Sequence, residues 1–175
     1  SLERAENTAR LIEAGFRIAL TRSTSAEAEW KSIIVTSAAQ FAYEAKYSGY
    51  DSERVVNFLL RDTDNPSSVL SVIKSARDNA RLVRTALTTE VWTSVNETWM
   101  VLTKLLEAPI RQMELPAVLA TIRQQSAVVR GALHGTMLRN DIYDFCRLGT
   151  FVERMDSTAR IIDVKYYSLL PSPSF

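Results

Sequence analysis

The sequence predicts an all-α protein, a multi-helix bundle of six or seven helices. Apolar residues recur at helical spacing along most of the chain, and no segment alternates as a strand would. Five Gly and five Pro in 175 residues leave room for few turns, which favours long helices. A hydrophobic fraction of 46% with 23% charged residues is typical of a globular chain. At this length we expect a single all-helical domain over residues 1–175.

The first helix is predicted from a shared apolar face made of Leu2, Ala5, Ala9, Ile12 and Phe16. It is expected to run to about Leu20. The Ser23–Ser25 segment predicts a break and an N-cap for the second helix. That second helix is expected from Ala26 to Tyr47, with its end near Gly49.

The middle of the chain holds the clearest loop, Asp62–Pro66. A short apolar-faced helix is predicted before it, from Ser52 to Leu60. After it, Asn65 is the predicted N-cap and Pro66 the predicted first helical residue. Proline has no backbone N–H, and at this position that group would have no partner within the helix. The helix that follows is expected to reach about Leu87.

Three further helices complete the prediction. Thr88 or Thr89 caps one that runs to about Ala108, where Pro109 closes it. Another opens at Pro116 and runs to about Leu133, with Gly135 as a stop. The last is capped by Asn140 or Asp141 and continues to about Leu170, before Pro171.

One motif occurs twice, as ERAENTARLIE over residues 3–13 and as ERMDSTARIID over residues 153–163. This self-similarity indicates two related helices and admits an internally duplicated helical unit. On a helical projection, the first copy places Glu3, Glu6, Arg10 and Glu13 on the polar side, with Glu6 and Arg10 spaced for an ion pair. Arg4 instead flanks the apolar face and is expected to turn toward the interior, and Arg154 repeats its position.

Two interpretations of the motif follow. The favoured one is interhelical ion pairing, in which each arginine meets an acid on a neighbouring helix, because an unpaired charge beside a buried face is costly. The other is a polar pocket in which arginines and carboxylates hold a phosphate or carboxylate group. The candidate ligand- or partner-binding residues of the motif are Glu3, Arg4, Glu6, Arg10, Glu153, Arg154, Asp156 and Arg160.

A second basic stripe consists of Lys74, Arg77, Arg81 and Arg84, spaced three, four and three residues apart. Because the stripe lies beside the apolar face of its helix, one interpretation is that it meets the acidic faces of the motif helices, and Arg77, Arg81 and Arg84 join the candidate binding residues. A solvated face or salt-bridge ladder is the favoured interpretation. A nucleic-acid track would need interleaved aromatic residues, and the stripe contains none.

Composition excludes several classes of function. With 21 Lys+Arg against 20 Asp+Glu the chain is nearly neutral, which argues against nucleic-acid binding. The single Cys, Cys146, excludes a disulfide framework and a Cys-based zinc site, and it fits a cytoplasmic protein. The single His, His134, excludes a catalytic triad and a multi-His metal site. Nucleotide-binding glycine motifs and long apolar runs are absent from the sequence, so no cofactor and no membrane are expected.

Three segments together, Leu2–Leu11, Ala76–Arg84 and Leu148–Tyr166, resemble the bacterial alpha-E family, a predicted all-helical domain with a Glu-Arg motif. Members of the family are usually longer, so the resemblance implies that this chain corresponds to roughly their N-terminal half. They are typically encoded beside an ATP-grasp ligase and a transglutaminase-like protein. The resemblance therefore implies a role in amide ligation or peptide modification.

The function expected is that of a non-catalytic helical accessory protein that partners an ATP-grasp-type ligase or a transglutaminase-like protein. The alternative is an enzyme or ligand-binding component that uses the Glu-Arg helices as a core site for an anionic substrate. The sequence leaves the oligomeric state open.

Overall fold

The computed structural model describes residues 2–21 and 26–169, with side chains over 2–19 and 26–164. Within these ranges every regular element is helical, as predicted. A short 3-10 turn, Arg84–Ala86, joins the fifth and sixth helices. The α-helices are α1 (Leu2–Thr21), α2 (Ala26–Thr36), α3 (Gln40–Glu44), α4 (Ser52–Leu60), α5 (Val69–Leu82), α6 (Thr89–Leu105), α7 (Leu115–Thr136) and α8 (Asp141–Leu169).

Helix α1 is the centre of the bundle and packs against α2, α4, α5, α7 and α8. Its predicted apolar face is confirmed, since Ala5, Ala9 and Ile12 have no exposed surface. The two alanines let neighbouring helices approach closely, and all three residues belong to the larger of two apolar cores. The smaller core joins the end of α5 to α6, α7 and Tyr143 of α8.

The prediction of one helix from Ala26 to Tyr47 is wrong, because the chain turns between α2 and α3. The amide of Ala39 donates to Ile34 O and that of Ala38 to Val35 O, which is a Schellman C-cap. The cap requires a left-handed residue, and Ala38 supplies it with φ of 55°. Glycine usually occupies such a position, so alanine here left no sequence signal for the break.

Helix α5 is shorter than the predicted Pro66–Leu87. Its N-cap is Ser68, whose hydroxyl accepts the Ser71 amide at 3.2 Å. The predicted cap Asn65 instead holds the preceding loop, because its buried side chain donates to Phe58 O and accepts the Ser67 amide. The polar Asn65 amide is thereby satisfied inside the core.

The boundaries of the later helices are close to those predicted. Thr88 caps α6 by accepting the Val91 amide, and Asn140 accepts the Tyr143 amide at the start of α8. Pro116 lies in the first turn of α7, which runs through Gly135 to Thr136. The predicted break at Ser23–Ser25 and the predicted helix end at Leu170 lie outside the described residues.

None of the helices described combines the length and the apolar character needed to cross a membrane. Likewise, in the ranges that the structure covers, His, Cys, Asp and Glu form no group of three or more able to hold a metal ion.

Candidate functional site

The two copies of the Glu-Arg motif meet where α1 packs against α8, and they pair reciprocally. Arg4 donates to both carboxylate oxygens of Glu153, at 2.6 and 2.9 Å. Arg154 donates in the same way to Glu3, at 2.5 and 3.4 Å. Two-pronged Arg–carboxylate contacts fix geometry more strongly than a single contact does. Each motif therefore recognises the other copy, as the ion-pairing interpretation predicted.

Helix α7 adds a third arginine to this centre. Arg130 donates to Glu3 at 3.2 Å and to Glu6 at 2.7 Å, so one guanidinium bridges two acids of α1. Glu6 also accepts from Arg10, its i,i+4 neighbour, at 2.7 Å, as predicted. We call Glu3, Glu6, Arg130, Glu153 and the two motif arginines Arg4 and Arg154 the Glu-Arg centre.

The orientation predicted for the motif is wrong in one respect. The side chains of Arg4 and Arg154 are 45% and 47% exposed, whereas Glu6 is only 5% exposed. The acids, and not the arginines, turn inward, because α7 supplies Arg130 on that side of α1. An arginine can cover apolar surface with its stem while its guanidinium stays in water, which a glutamate is too short to do.

Burial and hydrogen bonding act against each other on Glu6. Burial raises its pKa, because the charged carboxylate loses water. Burial is the largest single effect, but the hydrogen bonds and the positive charges of Arg10 and Arg130 together outweigh it, so the pKa of Glu6 is lowered. Glu6 is therefore a charged anchor of the fold rather than a proton donor.

A second arginine of α7, Arg123, pairs with Glu13 on the next turns of α1. Arg123 and Arg130 were not among the site residues predicted from the sequence. A signal was present, since two residues seven apart lie on one face of a helix and match the spacing of Glu6 and Glu13.

A cavity of about 510 Å³ lies beside the Glu-Arg centre, between α1, α2 and α8. Five of the predicted site residues are in its wall: Arg4, Arg10, Glu153, Asp156 and Arg160. Glu3, Glu6 and Arg154 are not, so the Glu-Arg centre borders the cavity through its Arg4–Glu153 pair. The wall also contains Asn7, whose Nδ2 is buried and has no hydrogen-bond partner.

The geometry agrees with a family description based on the same two residues. A family model, Alpha-E, described as a predicted alpha-helical domain with a conserved ER motif, matches residues 1–174. The chain belongs to the Alpha-E family. No curated protein and no solved structure matches it.

The second basic stripe of this Alpha-E chain contacts α6, so its contact with the acidic faces of the motif helices, the less favoured alternative, is wrong. Arg77 donates to Asn96 at 2.8 Å and its guanidinium lies 4.3 Å from the centre of the Trp99 ring. Arg84 lies over Trp92 in the same way. Because α5 packs against α6, the stripe covers the tryptophans of α6, and Arg81 is exposed.

His134 joins α7 to α8 in the Alpha-E chain, near the end of α7 where it was predicted. Its Nε2 lies 2.9 Å from a guanidinium nitrogen of Arg147, which can only donate. Nδ1 therefore carries the proton and donates to the Tyr143 hydroxyl at 2.7 Å. This bonding pattern requires a neutral imidazole.

We expect acid to weaken this junction. Burial lowers the pKa of His134, and the nearby charges of Arg147 and Arg139 lower it further. Since the unfolded chain then binds the proton more readily, stability falls as the pH drops below about 6.5, the ordinary value for histidine. The single histidine makes an NMR titration unambiguous, and it should give a pKa below that value.

His134→Gln is the control for this expectation. It should remove the part of the stability loss that occurs between the unfolded and folded pKa values. An NMR pKa at or above about 6.5 would contradict the neutral-imidazole assignment.

Proposed function

We propose that this Alpha-E chain is a non-catalytic interaction protein that docks onto an ATP-grasp-type amide ligase through the outward face of α8. One observation carries the proposal: the apolar side of α8 faces solvent, while its polar side faces the bundle. The family context sets the class of partner. The paired state of the Glu-Arg centre supports a structural and not a catalytic use of the motif.

The outward face of α8 has the spacing of a helix-packing seam. Its apolar members, which are 50–73% exposed, are Phe145, Leu148, Val152, Met155 and Ile162. With Ala159 they alternate at three and four residues, which is the repeat that packs one helix against another. We call these six residues the α8 seam.

Apart from Tyr143 and Ile161, the side of α8 that faces the bundle is mainly polar. Thr150, Glu153 and Ser157 are only partly exposed there, and Glu153 is held by Arg4. Monomeric proteins rarely leave a long contiguous apolar face in water. A seam of this kind therefore favours a protein partner.

Charge favours a helix of a different protein over a second copy of α8. Asp144 and Asp163 are exposed on the flanks of the seam, and Asp156, also on a flank, pairs with Arg160 within its own helix. Two α8 seams packed together would bring acidic flanks near each other, at a cost in free energy. A partner helix with an apolar seam and basic flanks would fit both features.

The test is binding of the purified chain to the ligase encoded beside it, measured by calorimetry. We expect binding at micromolar concentration or tighter. Met155→Asp, which places a charge in the middle of the seam, should weaken it by about 30-fold or more, the effect of losing one central interface residue. A transglutaminase-like protein, tested in parallel, is the other partner class.

Met113→Asp is the matched control, because Met113 is 85% exposed and lies outside α8. It should change the affinity less than twofold, and neither variant should lower the melting temperature. Absence of ligase binding at tens of micromolar would contradict the proposal. So would self-association that depends on Met155, since it would assign the seam to a second copy.

A further inference from the structure

We propose that the cavity between α1, α2 and α8 binds a small amphipathic carboxylate, whose apolar body fills the cavity and whose carboxylate contacts Asn7 and Arg10. This site is separate from the α8 seam, because the cavity takes up the inward side of α8 and the seam lies on the outward side. Ligand binding and partner binding can therefore be tested independently.

The cavity has the volume that such a ligand needs, and its wall has an apolar part and a polar part. About 510 Å³ is within the range of small-molecule sites. Leu11 and Ile18 of α1, Ile33 of α2 and Ile161 of α8 form apolar wall. Polar groups of the wall converge from α1 and α8, which fixes where the head of a ligand would lie.

Asn7 supplies the observation that points to a ligand. Its Nδ2 is buried without a partner, and a buried donor left in this state costs about 1–3 kcal/mol. Asn7 is one of the residues that line the cavity. Nδ2 does not face the open space as it lies, and rotation about the terminal torsion of the side chain, which is soft, would turn it toward an oxygen in the cavity. A ligand with an acceptor at that point would satisfy the group that the protein itself leaves unsatisfied.

Arg10 is the arginine of the wall best able to meet a carboxylate. Arg4 is held by Glu153, and its departure would leave that acid without its partner. Arg160 pairs with Asp156 in the same one-to-one way. Arg10 pairs with Glu6, but Glu6 also accepts from Arg130. Arg10 can therefore turn to a ligand while the buried Glu6 stays paired.

The probe is decanoate, followed by calorimetry and by the change in melting temperature. Decanol lacks the carboxylate and should bind at least about tenfold more weakly, the effect of losing one charged hydrogen bond or more. Acetate lacks the apolar body and should also bind at least about tenfold more weakly, because it buries little apolar surface. Acetyl-trileucine, with its C-terminus free or amidated, distinguishes a peptide source of the carboxylate from a fatty-acid source. Equal binding of decanol and decanoate would overturn the proposal.

Asn7→Leu separates a ligand site from a structural role. It removes the unsatisfied donor, so we expect the free chain to melt at a higher temperature and to bind decanoate about tenfold more weakly. A structural role for the amide predicts a lower melting temperature instead.

Ala14→Phe, in the wall of the cavity, is a second and independent variant. It should fill the space and abolish decanoate binding, and it decides the matter if Asn7→Leu does not fold. Lys104→Gln, at an exposed position of α6 away from the cavity, should leave binding unchanged. Decanoate binding that survives both Asn7→Leu and Ala14→Phe would overturn the proposal.

Discussion

Arg130→Ala is expected to lower the free energy of unfolding by about 2–3 kcal/mol. The substitution leaves two poorly hydrated acids, Glu3 and Glu6, without the guanidinium that bridges them. The loss is smaller than the roughly 3–5 kcal/mol of a fully buried pair, because Arg130 is partly exposed and each acid keeps another arginine. Urea denaturation of the variant and the parent chain measures the difference.

Arg154→Ala and Lys74→Ala give the comparison that makes this result specific. Arg154 pairs with Glu3 at the edge of the Glu-Arg centre and is about half exposed. Its loss should therefore cost about 1 kcal/mol. Lys74 makes a long surface pair with Asp78, and its loss should cost less than about 0.5 kcal/mol. Equal effects of Arg130→Ala and Lys74→Ala would show that the centre does not stabilise the fold.

Phe58→Ala is expected to have the largest effect, a loss of about 3–5 kcal/mol. Phe58 is 1% exposed and meets the rings of Tyr43 and Tyr47 edge-on, with centroids 5.2 and 6.2 Å apart. Removing the phenyl ring leaves a cavity where α4 packs against α3 and against the loop that follows α3. It also removes two favourable ring contacts.

Phe41→Ala is the matched control, because Phe41 of α3 is 91% exposed. Its loss should change stability by less than about 0.5 kcal/mol. Phe58→Leu keeps most of the volume and should fold if the alanine variant does not, with a loss below about 2 kcal/mol. Similar losses for Phe58→Ala and Phe41→Ala would contradict the packing described.

Two ion pairs of the repeated motif follow from local spacing. Glu6 and Arg10, like Asp156 and Arg160, are four residues apart and pair within one helix turn. The repeated motif also pointed to contact between its two copies, since an arginine beside an apolar face requires an acid. The partner of each arginine was not predictable in this way, because it lies about 150 residues away along the chain.

The sequence by itself determined the helical class, most of the helix boundaries and the apolar face of α1, because these depend on propensity, capping and periodicity over a few neighbouring residues. The tertiary structure decided which charged side chains of α1 are buried. Glu3 and Glu6 are buried because Arg130 of α7 pairs with both of them. It also decided that α8 presents its apolar side to solvent and that Asn7 borders a cavity. Those features depend on how helices that are distant in the sequence pack together. A local sequence pattern does not specify the surface of the helix that will pack against it.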